Sequence, residues 1–180
     1  GDIHTANQKA AGLKSRDQAK TFIYAFIYGA GDAKIGSVVG GGKRLGAELK
    51  KRFLDNNPSL KTLRDRVSQA AKRGYLKGLD GRKIFIRNEH AALNSLLQGG
   101  GAIAMKRALV RLHALIKLNA IDAKFVANVH DEWQIEVKEE VAEHVGQLAV
   151  TCIEEAGDYY NMRCPLTGEY KIGDSWNETH

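Results

Sequence analysis

Four residues in the stretch SRDQAKTFIYAFIYGAG, from Ser15 to Gly31, could do chemistry together: Arg16, Lys20, Tyr24 and Tyr28 recur every four positions. On an α-helix this spacing forms a ridge along one side, drifting by roughly 40° per step. A guanidinium, an ammonium and two phenols in a row suit an anion with a ring attached. A plain basic amphipathic helix with tyrosines packed at its rear fits the same residues, so the stretch alone leaves both readings open. A second constellation is His130-Asp131-Glu132, two adjacent carboxylates beside an imidazole. Hard divalent cations such as magnesium take oxygen ligands and borrow some from substrate phosphates, a use that two carboxylates at a rigid turn serve. Acidic residues at a turn are also commonly just solvated. The third is Asn94 and Gln98, four apart, with His90 one turn earlier. On one helix face these could read a minor groove, or be ordinary exposed polar residues.

Other chemistries fail on spacing. No H-E-x-x-H helix supports a zinc protease, and the paired cysteines of a zinc deaminase are missing. The Gly40-Gly41-Gly42 run has no strand before it and no Gly-Lys-Ser/Thr after it, so it reads as a connector and not a phosphate loop. Cys152 and Cys164 lie twelve apart without a partner cluster, which fits a reduced pair or a disulfide but no zinc site. Ser, Cys and His form no evident nucleophile-base motif.

The elements that must position these groups follow from periodicity. The opening GDIHTANQKAAGL reads as a turn and a short helix capped by Thr5 or Asn7. Ser15 with Gln18 three residues on makes a capping-box start to the ridge helix. Gly29 and Gly31 stop that helix, and Ala19, Phe22, Ile23, Phe26 and Ile27 give it a face to bury. Short helices are expected over Asp32–Val39 and Arg44–Asp55, then a helix capped by Ser59 and running to about Arg73. Asp80-Gly81, flanked by Tyr75-Leu76 and Ile84-Phe85-Ile86, predicts a two-stranded ribbon. A long helix over roughly His90–Asn119 contains Gly99-Gly100-Gly101, where something should approach its backbone closely. Alternation over Phe125–Lys138 predicts a hairpin with His130-Asp131-Glu132 at or beside its turn. An amphipathic helix over Glu139–Asp158 and a short strand over Gly168–Ile172 complete the chain.

The 180 residues allow one domain or two small subdomains, with a boundary near Gly78. The net charge of +6 is unevenly divided. Lys and Arg outnumber Asp and Glu by 16 to 6 in residues 1–78, whereas the ratio is 11 to 15 in residues 79–180. A basic half joined to a mildly acidic half suits a polyanion held by the first near a metal held by the second. No apolar run has the length of a membrane span, and no signal peptide is visible at the start. A membrane role is therefore not expected.

R-x3-K-x3-Y-x3-Y-G at Arg16–Gly29, L-D-G-R at Leu79–Arg82, N-x3-Q-G at Asn94–Gly99 and V-H-D-E at Val129–Glu132 occur in this order in one sequence. As a set they resemble the C-terminal part of family A DNA polymerases, the DNA polymerase I-like enzymes. The phage replicative branch is the most similar, through GDIHT, Tyr24 and HAALN-x-LLQ as well. The resemblance covers essentially the whole chain. It implies a mostly helical α+β fold: a basic helical fingers subdomain over 1–78, and the C-terminal half of the palm over 79–180 with a hairpin carrying His-Asp-Glu. It implies that His4, Arg16 and Lys20 hold the incoming triphosphate, with Lys20 also the candidate proton donor to the pyrophosphate. Tyr24 resembles the residue packed on the nucleotide's sugar and base, where Tyr in place of Phe goes with acceptance of dideoxynucleotides. Tyr28 resembles the occupant of the template-base pocket. Asn94 and Gln98 resemble minor-groove contacts to primer-template, His90 a DNA-binding residue beside them, and His130 a contact near the primer terminus. Asp131 resembles a catalytic metal ligand in a two-magnesium site, with Glu132 beside it.

The sequence departs from the family pattern at Ala25, where Gly is usual. It departs again at His90, where Arg is frequent, and between Ala71 and Leu79, where the chain is shorter than in the phage branch. The upstream D-x-S-x-x-E-x-R motif that holds the family's first catalytic Asp does not occur. The resemblance therefore implies template-directed nucleotidyl transfer from dNTP to a primer terminus only with an N-terminal portion that supplies this Asp and the thumb. The start at Gly1 fits a trimmed product, a cut piece or a split gene. The expected location is the cytoplasm, that of a bacterial host if phage-encoded. The alternative is a non-catalytic remnant that still binds nucleotide or nucleic acid.

Overall fold

A computed structural model describes residues 2–179; Gly1, on which the reading of the chain's start rests, lies outside them. The fold is α+β and mostly helical, with two small antiparallel sheets of two strands each among the described residues. The chain divides into two compact units. The first holds the residues up to Gly78 together with Arg82–Gln98, and the second holds Leu79–Gly81 and the chain from Gly99 onward.

In the first unit, α1 (Ile3–Ala11), α2 (Arg16–Ile27), α3 (Asp32–Ser37), α4 (Lys43–Asp55) and α5 (Pro58–Ala71) precede the ribbon β1 (Tyr75–Lys77) and β2 (Lys83–Phe85). A 3₁₀ turn over Glu89–Ala91 leads into α6 (Ala92–Leu118), whose residues up to Gln98 belong here. The core forms where α2 turns its apolar side inward. Phe22 and Phe26 meet Phe53 of α4 edge-on, with ring centroids 5.2 and 5.4 Å apart. Ala19, Ile35, Leu49, Val67, Leu76 and Leu93 close around them. Phe22, Phe26 and Phe53 are almost wholly buried, and each such side chain contributes roughly 1.5–3 kcal/mol of transfer free energy.

Backbone-to-backbone contact decides how α3 and α4 meet. A Cβ at Gly46 would lie 1.8 Å from the Asp32 carbonyl oxygen, so only glycine allows the approach. Lys50 of α4 then reaches Asp32 at 2.9 Å. Gly29 has a second reason to be glycine. Its φ is 77°, and a Cβ there would sit 2.0 Å from the His90 carbonyl oxygen, which fixes the end of α2 against the 3₁₀ turn.

In the second unit, β3 (Ala123–Val129) and β4 (Glu132–Val137) form a hairpin. It packs with Ala108, Leu112 and Ile116 of α6 and with Cys152 and Ala156 of α7 (Glu139–Tyr159). Phe125, Trp133 and Ile135 supply the sheet's contribution. Along β3 the half-buried positions 123, 125, 127 and 129 alternate with exposed ones, as expected of a strand with one packed face. A short helix, α8 (Trp176–Thr179), ends the described chain.

Several expectations need correction. Asp2, not Thr5 or Asn7, caps α1, and α5 begins at Asn57-Pro58 with Pro58 in its first turn, not at Ser59. The helix α6 runs unbroken through Gly99–Gly101. The nearest side chain to a Cβ at Gly100 would be Leu79, at 3.7 Å, and nothing lies within 4 Å at Gly101, so no close approach explains those two glycines. Residues 168–172 form no strand. Tyr170 packs on α7 instead, lying on Gly146 with its hydroxyl donating to Glu143, and Leu166, just before this segment, lies on Gly157. Both cysteines are free, Cys152 buried and Cys164 exposed. No helix among the described residues is long and apolar enough to cross a membrane.

Two outcomes test this packing. Gly46→Ala should cost about 1–3 kcal/mol in urea unfolding, because the added methyl meets backbone that cannot yield. Gly101→Ala, with open space around it, should instead stabilise by up to about 1 kcal/mol through helix propensity. Burial pushes the Cys152 thiol up to about 11, with Glu155 adding to the shift. Alkylation of the native chain at mildly alkaline pH, read by peptide mass spectrometry, should therefore mark Cys164 and spare Cys152.

Candidate functional site

The first cluster is built on the outer side of α2. Ser15 Oγ accepts from the Gln18 backbone N–H at 3.2 Å, and the Gln18 side chain accepts from the Lys14 N–H at 3.2 Å. The capping arrangement is thus present, displaced by one residue on its return arm. Arg16, Lys20, Tyr24 and Tyr28 are all exposed, because the buried face of the same helix is occupied by Ala19, Phe22 and Phe26.

Asp2 organises the start of this ridge. Its carboxylate accepts from Arg16 Nε at 2.7 Å and Nη2 at 3.3 Å, from the Thr5 hydroxyl at 2.8 Å, and from the backbone N–H groups of His4 and Thr5. The Arg16 hydrogen bond, followed by that of Thr5, holds the Asp2 carboxyl far below the usual carboxylate range, and Arg16 is raised in return. One carboxylate thus caps α1 and grips the guanidinium of α2. His4, carried on that first turn, has its ring tilted 53° to Tyr24 with centroids 6.4 Å apart. Its Nδ1 is buried without a hydrogen-bond partner, a polar atom awaiting one. His4, Arg16 and Tyr24 are thus brought to one side of α1 and α2, with Lys20 on the turn of the ridge between Arg16 and Tyr24.

At the other end of the ridge, Tyr28 caps α2 and its hydroxyl accepts from Gln98 Nε2 at 3.2 Å. Asn94 lies one turn before Gln98 on α6, its Oδ1 buried and unpartnered. His90 is exposed in the 3₁₀ turn, where its backbone N–H donates to Asn88 Oδ1 at 2.9 Å.

The second cluster lies in the second unit. The outer register pairs Ala123 with Val137 and Phe125 with Ile135, but beyond Val126 it slips by one, pairing Ala127 with Gln134 and Val129 with Glu132. That bulge sets the tip. Continuing the outer register would pair Val129 with Asp131 and leave His130 as a one-residue loop that the backbone cannot close. The slip makes His130 and Asp131 a two-residue loop. His130 takes a φ of 53°, which is costly for a residue with a side chain and typical of sites where geometry is imposed.

Asp131 is exposed at this tip and makes no ion pair among the described residues. Glu132 is held differently: its Oε1 accepts from the Trp176 indole N–H at 3.1 Å and from the Gln134 amide, and Gln134 in turn accepts from the Thr179 hydroxyl at 3.2 Å. No group of three or more metal-ligating side chains occurs among the described residues. The donor set is two carboxylates at a turn. It fits magnesium in kind, hard oxygen ligands, but not in number, so other ligands must complete any such site.

Sequence reasoning missed Asp2, Gln134, Trp176 and Thr179. Asp2 carried a usable signal, an acidic residue directly before the first helix. Trp176 carried none, since its partner lies 44 positions away.

The sequence model of DNA polymerase family A matches residues 2–178. The chain is 46% identical over 187 residues to the DNA-directed DNA polymerase of Escherichia phage Phieco32, and 43% identical over 202 residues to that of Escherichia phage T7. Both comparisons take in all of this chain but only 30% and 29% of the relatives, so the chain spans about a third of the length of the proteins it matches. The fold is similar to the POL domain of Pol1 from M. smegmatis, solved in complex with DNA primer-template and dNTP. The TM-score there is 0.76 at 22% identity, over 86% of this chain and 31% of the other. A family model matched from Asp2 to Glu178 leaves little of the sequence outside it, and the chain belongs to DNA polymerase family A.

Proposed function

We propose that the chain is the fingers (residues 1–78) and the C-terminal half of the palm (residues 79–180) of a template-directed DNA polymerase. It would transfer nucleotidyl groups from dNTP to a primer terminus when an N-terminal portion supplies the remaining carboxylate and the thumb. The observation that carries this reading is the ridge of α2, where Arg16 already grips an anionic carboxylate and His4 presents an unpartnered buried nitrogen beside Tyr24.

The residues divide the work. Arg16 binds two phosphate oxygens through the same fork that now holds Asp2, and Lys20 adds a point charge that can also protonate the departing pyrophosphate. His4 donates to the phosphates from the first turn of α1. Tyr24, half exposed, offers its ring to the sugar and base of the nucleotide. The Tyr28–Gln98 bond holds the end of the ridge until a template base replaces the phenol. Asn94 and Gln98 contact the minor groove of primer-template, His90 binds DNA beside them, and His130 lies near the primer terminus. Asp131 would hold magnesium, with Glu132 kept beside it by Trp176 and Gln134. A magnesium ion held there would supply charge neutralisation for phosphoryl transfer. The rest of catalysis is positioning. A phage-encoded enzyme of this kind would work in the host cytoplasm.

Primer extension with magnesium and dNTPs tests the reading. This chain alone should extend nothing. Mixed with a fragment bearing the D-x-S-x-x-E-x-R motif it should extend primers, and Asp131→Ala should abolish that activity. Silence of the mixture, with primer-template still bound, would mean a non-catalytic remnant.

A second test concerns Asp2 as the anion that the triphosphate must displace. Asp2→Asn keeps a good helix cap and removes the charge. It should therefore tighten dNTP binding to this chain about three- to tenfold in a low-salt titration, and less as salt rises. Because Asp2 is fully ionised well below the usual carboxylate range, the difference should be constant from pH 5 to 9. Weaker binding in the variant would show that Asp2 orients Arg16 and does not compete for it.

A further inference from the structure

The ribbon β1–β2 has two unlike faces. Tyr75 pairs with Phe85, Leu76 with Ile84 and Lys77 with Lys83. Side chains alternate along a strand, so Leu76 and Ile84 share the inner face, where Leu76 is 3% exposed within the core of the first unit. Tyr75, Lys77, Lys83 and Phe85 therefore share the outer face. Two cations lie over Tyr75: Lys83 Nζ at 4.8 Å from the ring centroid and the Arg73 guanidinium at 5.3 Å. Phe85, directly across from Tyr75, is 76% exposed.

Two features of this face are unfavourable in the free chain. Lysines directly opposite one another in an antiparallel pair repel, and no carboxylate among the described residues forms an ion pair with Arg73, Lys77 or Lys83. A phenylalanine that exposes three-quarters of its surface on a three-residue strand gains nothing for folding. A partner that brings both negative charge and a flat apolar ring relieves both costs at once.

We propose that this face is a binding platform for single-stranded nucleic acid. A base stacks on Phe85, while Lys77, Lys83 and Arg73 hold the flanking phosphates. The two residue pairs stand roughly 7 Å apart along the ribbon, within reach of neighbouring nucleotides. Stacking on an open aromatic ring requires a base whose face is free, which a single strand offers and a duplex hides. An acidic peptide would engage the lysines but leave Phe85 without use. The platform is a further contact surface beyond the nucleotide ridge and the minor-groove residues. It depends on nucleic acid as the partner and not on synthesis.

Fluorescence anisotropy of labelled oligothymidylate, an abasic oligonucleotide of equal length and an oligoglutamate of equal charge tests the proposal on the full chain. Phe85→Ala should weaken thymidylate binding by about 5- to 100-fold, and Phe85→Trp should restore it. The abasic strand should not distinguish Phe85→Ala from the parent. Lys77→Gln with Lys83→Gln should lower the salt slope for thymidylate by about 1.4. The Phe85→Ala loss should persist in Asp131→Ala and in Lys20→Ala, which separates it from any failure of the polymerase reading. Because Phe85 is so exposed, circular dichroism of its variants should match that of the parent. The proposal is overturned if thymidylate does not bind or if Phe85→Ala binds it like the parent. It is equally overturned if oligoglutamate binds as tightly as thymidylate, which would point to an acidic protein segment.

Discussion

The contact of Phe22 and Phe26 with Phe53 is the constraint on which the first unit depends. Those three rings, at centroid separations of 5.2 to 6.2 Å, fix the rotation of α2 about its own axis. A helix has one inward side, so anchoring two phenylalanines one turn apart assigns every other residue its direction. Arg16, Lys20 and Tyr24 face outward because the phenylalanines face inward. Edge-on aromatic packing has a narrower geometry than aliphatic contact, and so resists the small rotations that would splay a row of charges. The core therefore sets the aim of the ridge as well as its stability.

Charge then acts on the frame that packing provides. The first unit is strongly basic, and its cations are dispersed in part by local carboxylates, as in Lys50–Asp32 and Lys51–Asp55. Most such pairs are exposed and contribute little to stability. Arg16–Asp2 differs in what it connects: the pair ties the cap of α1 to the first turn of α2 and brings His4 beside Tyr24. An exposed ion pair of this kind is easily exchanged for a stronger anion, whereas a buried one would resist exchange. That ease of exchange is what the proposed nucleotide site requires in its free state.

The legible parts of this molecule were those set by local rules. The Ser15 cap, the four-residue ridge, the Asp80-Gly81 turn and the alternation of β3 could be read directly, because each depends on neighbours within a few positions. The tail from 168 to 172 misled for the same reason. Tyr170 and Ile172 read as one face of a strand, yet Tyr170 lies on α7 at Gly146, a tertiary choice that a period of two does not encode. Asp2 was misread by one turn because Thr5 and Asn7 are also good caps. Asp2 caps by accepting from the His4 and Thr5 backbone N–H groups, and the same carboxylate also takes Arg16, fourteen positions on. The candidate site was legible as a set of residue types, while the hydrogen bonds that aim them were not. Those bonds join positions far apart in sequence, as with Gln98 to Tyr28 and Trp176 to Glu132.

The hairpin tip shows how such non-local terms determine a site. The residues His130-Asp131-Glu132 do not say which of them turn and which pair. The unpaired Val126 decides this by shifting the register one place, which puts Asp131 in the loop and Glu132 at the head of β4. The two carboxylates then differ in freedom although they are adjacent. Asp131 stands exposed on a strained turn, able to meet a cation from several directions. Glu132 is held from one side by the Trp176 indole and the Gln134 amide, with Thr179 behind Gln134. Hydrogen bonds to a carboxylate restrict its rotation, so Glu132 is the better-defined wall of the two. The physical difference between the two acids thus arises from a bulge five residues before the first and a tryptophan 44 residues after the second.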